Sequence, residues 1–215
     1  MNSTNKDSDT KSSFRTLIYF PIIHTQADMG ALGESVHRAT LRKLGRQSMK
    51  RKINMIDQVW TEIETTIDKL DISYENVRLY QDGLPVCGKE VEVVTELAKA
   101  ESRNHQLLLR LMQRGAKLMG TEASELLVKE YELTKQMLDA GNIPANSIRT
   151  ARQKAKADLV LGKRDHFIAD RINKTLQNNE TGILFLGALH SLQHRLDKDI
   201  RVLYPVSRPR AYSGK

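Results

Sequence analysis

The chain of 215 residues contains one cysteine, Cys87. It cannot close an internal disulfide, which excludes the stapled framework of small secreted domains. The first 13 residues, MNSTNKDSDTKSS, hold no apolar residue beyond Met1. They lack the hydrophobic stretch of a secretory signal and are expected to form a disordered polar leader. Long hydrophobic runs are also missing. Those at 17–23 and 183–189 fall far short of the roughly 20 residues that span a bilayer, so a cytoplasmic location with no transmembrane segment is expected. Aromatic residues make up only 5 %, which argues against a stacking platform for single-stranded nucleic acid. No shift of composition divides the chain, so one domain over 14–206 is expected, followed by a basic tail at 207–215.

What the sequence does have is a net charge of +8, with 40 % hydrophobic and 28 % charged residues. This is the balance of an ordinary globular domain with a bias towards anionic partners. No acidic residue lies between Arg38 and Lys52. There Arg42, Lys43, Arg46, Lys50, Arg51 and Lys52 form a local basic patch, read either as a solvated helical face or as a binding site for nucleic acid or another anionic partner.

Thr16 to Ile23 is almost continuously apolar, the pattern of a strand covered on both faces, and Pro21 within it suggests an edge position or an early end. A helical pattern starts after the glycine-containing stretch 30–33 and breaks near Gly45. From Ile53, the residues Ile56, Val59, Trp60, Ile63, Ile67 and Leu70 recur at three- and four-residue spacings and predict a long amphipathic helix. NVRLYQ, 76–81, reads as a strand, Val91 to Met112 as a helix ended by Gly115, and AKLMGTE, 116–122, as a short strand. A helix from Ser124 to Leu138, a turn at GNIP, 141–144, and helices over 146–161 and 164–177 follow. GILFLG, 182–187, is the strongest strand pattern, and a short helix from Ser191 leads to a last strand, IRVLYP, 200–205. Strands alternating with helices imply parallel crossovers. The expected fold class is therefore α/β, an open, mostly parallel sheet flanked by long amphipathic helices in a single domain.

In such sheets ligands bind beyond the carboxyl ends of the strands. The first strand leads to His24 and then Asp28, the second to Asp82, the third to Glu122 and the fourth to His190, with His194 four residues on. Imidazoles and carboxylates are ligands for zinc, manganese and iron, and two histidines with one or two carboxylates and an open position can activate water. On this reading His24 and His190 are metal ligands, Asp82 and Glu122 are ligand or general base, and Asp28, Asp165 and His194 are secondary candidates. Arg164 and Asp165 are read at the start of a helix, Arg164 as a group that neutralises an anionic substrate or a carboxylate ligand and Asp165 either as a first-turn acid or in an orienting role. His37, His105 and His166 lie within expected helices and are read as structural.

These residues resemble a superfamily of G-x-x-H proteins, the TraB, GumN, TIKI and ChaN-like proteins together with the erythromycin esterases. GALH, 187–190, is similar to the second G-x-x-H motif, and KRDHFIADRINKTL, 163–176, to the Arg-Asp-x-x-hydrophobic-Ala helix. FPIIHTQADMG, 20–30, sits where the first G-x-x-H belongs, with Pro21 in place of its glycine, and LMGTE, 118–122, matches an internal acidic position. The resemblance implies an α/β fold and a metal-dependent hydrolase, protease or esterase, using the paired histidines and a glutamate, and it favours the orienting role for Asp165. Other members are linked to haem or to regulation. The expected function is a metal-dependent hydrolase of ester or peptide bonds acting on a small-molecule or peptide substrate. The alternatives are an anionic-partner binding protein using 38–52, and a catalytically inert member that works by assembly, with the helix at 53–70 available to pair with another subunit.

Overall fold

Alternate residues of the central strands enter two separate cores, which explains why the strands read as continuous apolar runs. In the computed structural model, residues 14–139 and 148–206 are described; the expected leader, the GNIP turn and the basic tail lie outside them. Strands β1 (Arg15–Ile22), β2 (Val77–Gln81), β3 (Lys117–Met119), β4 (Thr181–Gly187) and β5 (Ile200–Leu203) form one sheet in the order β3-β2-β4-β1-β5, every pair parallel. Ile18, Phe20, Ile22, Val77, Leu79, Ile183 and Phe185 face one core, where Phe20 stacks on Phe185. Leu17, Tyr19, Tyr80, Leu184 and Leu186 face the other.

Helix α1 (Gly33–Asp68) covers the first core with Ile56, Trp60, Ile63 and Ile67, the three- and four-residue stripe that the sequence shows. Helices α2 (Glu90–Lys99) and α3 (Arg103–Gln113) pack on the same face through Val94, Leu107, Leu108 and Leu111. The opposite face is covered by α5 (Ile148–Thr175), which buries Ile168, Ala169 and Ile172, while α4 (Ser124–Asp139) packs on α5. Among the described residues no helix is long and apolar enough to cross a membrane.

The structure corrects several expected boundaries. The break at Gly45 is a kink (φ 74°, ψ 166°) inside one helix, which resumes at once rather than at Ile53. The helix expected over 91–112 is two, separated where Glu101 takes a positive φ of 64° and Ser102 caps α3 by accepting the His105 N–H. The helices expected over 146–161 and 164–177 are one. A glycine at 162 costs a helix only about 1 kcal/mol, and packing of the following residues on the sheet outweighs it. β3 is shorter than expected, and no helix starts at Ser191, whose N–H is taken by Asp165. β1 is not an edge strand, but β5 pairs with it only as far as Ile18, so Pro21 lies where the strand has β4 as its one neighbour.

Candidate active site

The sheet order sets the strand-end residues side by side. Moving across the carboxyl edge, β3 leads to Glu122, β2 to Asp82, β4 to His190 and β1 to His24. Helix α5 adds two more. Residues 164, 168 and 172, and likewise 165 and 169, share a face at four-residue spacing, so the stripe that buries Ile168, Ala169 and Ile172 also carries Arg164 and Asp165. A crossover helix runs back against its strands, and this places the pair over their carboxyl ends. Arg164 and Asp165 are thus mid-helix, not first-turn residues as expected, and the helix dipole plays no part in holding Asp165.

Asp82 is the hub. Its Oδ2 lies 3.0 Å from His24 Nε2 and 3.6 Å from His190 Nε2, and accepts the Gly187 N–H at 2.8 Å. Its Oδ1 accepts from Arg164 Nη2 at 2.7 Å. Glu122 takes Arg164 Nε and Nη2 at 2.5 and 2.6 Å and the Gly83 N–H at 2.8 Å. Asp165 Oδ1 holds His190 Nδ1 at 2.6 Å, while its Oδ2 accepts the Ser191 N–H. That contact fixes the His190 ring with Nε2 turned towards Asp82. The turn between them closes with the His190 N–H donating to Gly187 O at 3.1 Å.

The glycine of GALH has a physical reason. A Cβ on Gly187 would stand 2.9 Å from Asp82 Oδ2, 3.6 Å from His24 Nε2 and 3.7 Å from His190 Cδ2. Only a residue without a side chain lets the three groups close over the end of β4. Gly83 has a second requirement, a φ of 75° in the turn that aims its N–H at Glu122.

Burial works against charge on His24, but the Asp82 carboxylate beside it outweighs this and pushes its pKa up to about 9. Burial would raise Asp82, yet His24, His190 and Arg164 hold it well below the usual carboxylate range. Burial and the Asp82 charge push Glu122 up, against the pull of Arg164. His24 is raised in the folded state, so its contribution to stability is complete below its unfolded value of 6.5 and is lost as the pH rises through about 9. The melting temperature of the wild type should exceed that of His24→Gln at about pH 6, and the difference should shrink by about pH 9.5. A thermal scan of both proteins at the two pH values checks this.

Two secondary candidates lie elsewhere. The side chain of Asp28, in the 3-10 turn Ala27–Leu32, is 1 % exposed, accepts from the Thr25 N–H at 2.6 Å and from Thr25 Oγ1 at 2.9 Å, and bonds Ser102 Oγ. It braces the loop that carries His24 and does not bond the cluster. Ser102 Oγ in turn meets His105 Nδ1 at 2.6 Å, at the start of α3. His194 is exposed in a turn and shares no helix face with His190. Arg164 is 4 % exposed and engaged with Asp82, Glu122 and Glu130, so of its two expected roles the geometry matches neutralising the site's own carboxylates. Of the basic patch, Arg42, Lys43, Arg46, Lys50 and Arg51 are exposed on α1, and Lys52 is half-buried.

The donor set does not fit a zinc, manganese or iron ion as it stands. His24 Nε2 and Asp82 Oδ2 are bonded to each other, Oδ2 also accepts the Gly187 N–H, and Asp82 Oδ1 and the Glu122 oxygens are satisfied by Arg164 and Gly83. Among the described residues, no group of three or more His, Cys, Asp or Glu could hold a metal ion.

Sequence reasoning missed Glu130, which meets Arg164 Nη1 at 2.5 Å from α4. Nothing in its surroundings in the sequence distinguishes it from the other acids of that helix. It also missed the backbone N–H groups of Gly83 and Gly187, for which the glycines themselves were the signal. A groove of about 890 Å³ has His24, alone of the cluster, among its lining residues, together with the neighbouring Thr25. Comparison of the chain with protein-family models, with curated proteins and with solved structures finds no significant match in any of the three.

Proposed function

We propose that the chain is a hydrolase of ester or peptide bonds, with its reacting centre between His24 and His190. The observation that carries this reading is the pair of imidazole Nε2 atoms from two strand ends turned onto one carboxylate oxygen, Asp82 Oδ2, at 3.0 and 3.6 Å. His190, oriented by Asp165 through Nδ1, takes the proton of the attacking water at Nε2. His24 keeps its proton up to about pH 9 and is 35 % exposed at the side chain, so it meets the substrate and donates to the developing oxyanion or the leaving group. Asp82 stays ionised and holds the imidazolium charge. Arg164 keeps Asp82 and Glu122 compensated while they are buried.

The metal-dependent form, with His24 and His190 as ligands, comes from the superfamily resemblance and is a separate proposal that requires these side chains to rearrange. One assay decides between them. Chelator-treated protein is offered aryl esters and fluorogenic peptides, before and after addition of zinc, manganese or iron. Turnover in chelator supports the acid–base form, and turnover that returns only with an ion supports the metal form. No turnover under either condition refutes the hydrolase reading.

A further inference from the structure

We propose that the groove beside His24 binds the aliphatic acyl chain of the substrate, which makes the chain an acyl ester or acyl amide hydrolase. This rests on the hydrolase reading for its chemistry, but not for its binding. The groove of about 890 Å³ is within the size range of small-molecule sites. Its apolar lining includes Met29, Val36, Met49, Ile53, Ile56 and Trp60, and the two methionines adapt to a flexible chain.

Helix α1 is shaped for this. Val36 and Ile56 are about 30 Å apart along a straight helix, yet both line the one groove, because the Gly45 kink lies between them. The walls also select the class of ligand. Helices bond their own backbone N–H and C=O groups, so the α1 wall offers no strand edge to an extended peptide, whose amides would be buried without partners. An alkyl chain needs no such partners. Arg103, the arginine of the lining, is already paired with Glu64 at 2.8 and 2.9 Å. Because His24 lines the same groove, a chain seated along it brings its carbonyl end to the acid–base cluster.

Trp60 is the only tryptophan in the sequence, and although it is buried in the core at 0 % exposure it borders the groove, so its emission senses a ligand seated there. The full-length protein is titrated with dodecanoate, below its micelle concentration, and with acetate, while tryptophan emission is followed. Dodecanoate is expected to change the emission saturably and acetate to leave it unchanged. Ile53 is 43 % exposed, so Ile53→Glu is compatible with folding, which circular dichroism verifies, and it should weaken dodecanoate binding at least about tenfold. No saturable change with dodecanoate, or equal affinity in a folded Ile53→Glu variant, overturns the proposal. Turnover of acetyl esters without dodecanoate binding leaves the hydrolase reading standing and removes this one. Dodecanoate binding without turnover of any ester or amide keeps the acyl-chain site and overturns its assignment to a hydrolase.

Discussion

Arg164→Met is expected to destabilise the fold by about 3–5 kcal/mol, the range for removing one partner of a buried ion pair. The side chains of Arg164, Asp82 and Glu122 are 4 %, 4 % and 0 % exposed. Without the guanidinium, two almost wholly buried carboxylates face each other uncompensated. Methionine fills much of the volume, so the loss reports charge rather than a cavity. Glu122 is already raised above its usual range, and without Arg164 it is pushed further and takes up a proton. A carboxyl raised in this way favours the folded state below its unfolded pKa, and that help is lost as the pH climbs. The deficit should therefore be smaller at about pH 5 than at about pH 8. Adding Glu122→Gln should recover part of it at the higher pH, because the uncompensated charge is then gone. Urea unfolding of the wild type, the single and the double variant at both pH values measures the effect. An Arg164→Met protein of wild-type stability contradicts the role given to the guanidinium.

The second large effect is on rate. His190→Gln should lower kcat/KM on any ester or peptide that the protein cleaves by about 10²–10⁴-fold, the usual worth of a positioned general base. Glutamine retains hydrogen-bonding capacity towards Asp165, so the melting temperature should change far less than in Arg164→Met. Asp165→Asn should lose part of the same rate, because an amide can present its N–H to His190 Nδ1 and select the wrong tautomer. A loss of kcat/KM carried wholly by a higher KM, with kcat unchanged, would place His190 in binding rather than in proton transfer.

The strand-end residues were legible because a parallel sheet leaves little choice. All carboxyl ends face one edge, so His24, Asp82, Glu122 and His190 could be placed at that edge without knowing the order of the strands. The order β3-β2-β4-β1-β5 is what brings His24 past the end of β4 to Asp82, and it is a tertiary fact that local pattern does not encode. Arg164 and Asp165 were legible as residues but not as roles. A helix boundary between 161 and 164 makes them a first turn, whereas the four-residue repeat through Ile168 and Ile172, both buried, puts 164 on the same stripe. His194 was misplaced for a related reason: a helix was expected where the Ser191 N–H instead bonds Asp165, from a distant part of the chain. Asp28 was counted with the strand ends by its position, but Ser102 and His105, more than seventy residues on, draw it into a contact of its own.

The account rests on one claim, that side chains from four strand ends share an acid–base site centred on Asp82 Oδ2. Titration of the histidine imidazoles by NMR, in the wild type and in Asp82→Asn, tests it most directly. The expected result is a His24 that titrates at about 9 in the wild type and moves down towards its ordinary 6.5 when the carboxylate becomes an amide. A His24 that titrates near 6.5 in the wild type, or one that Asp82→Asn leaves unmoved, contradicts it.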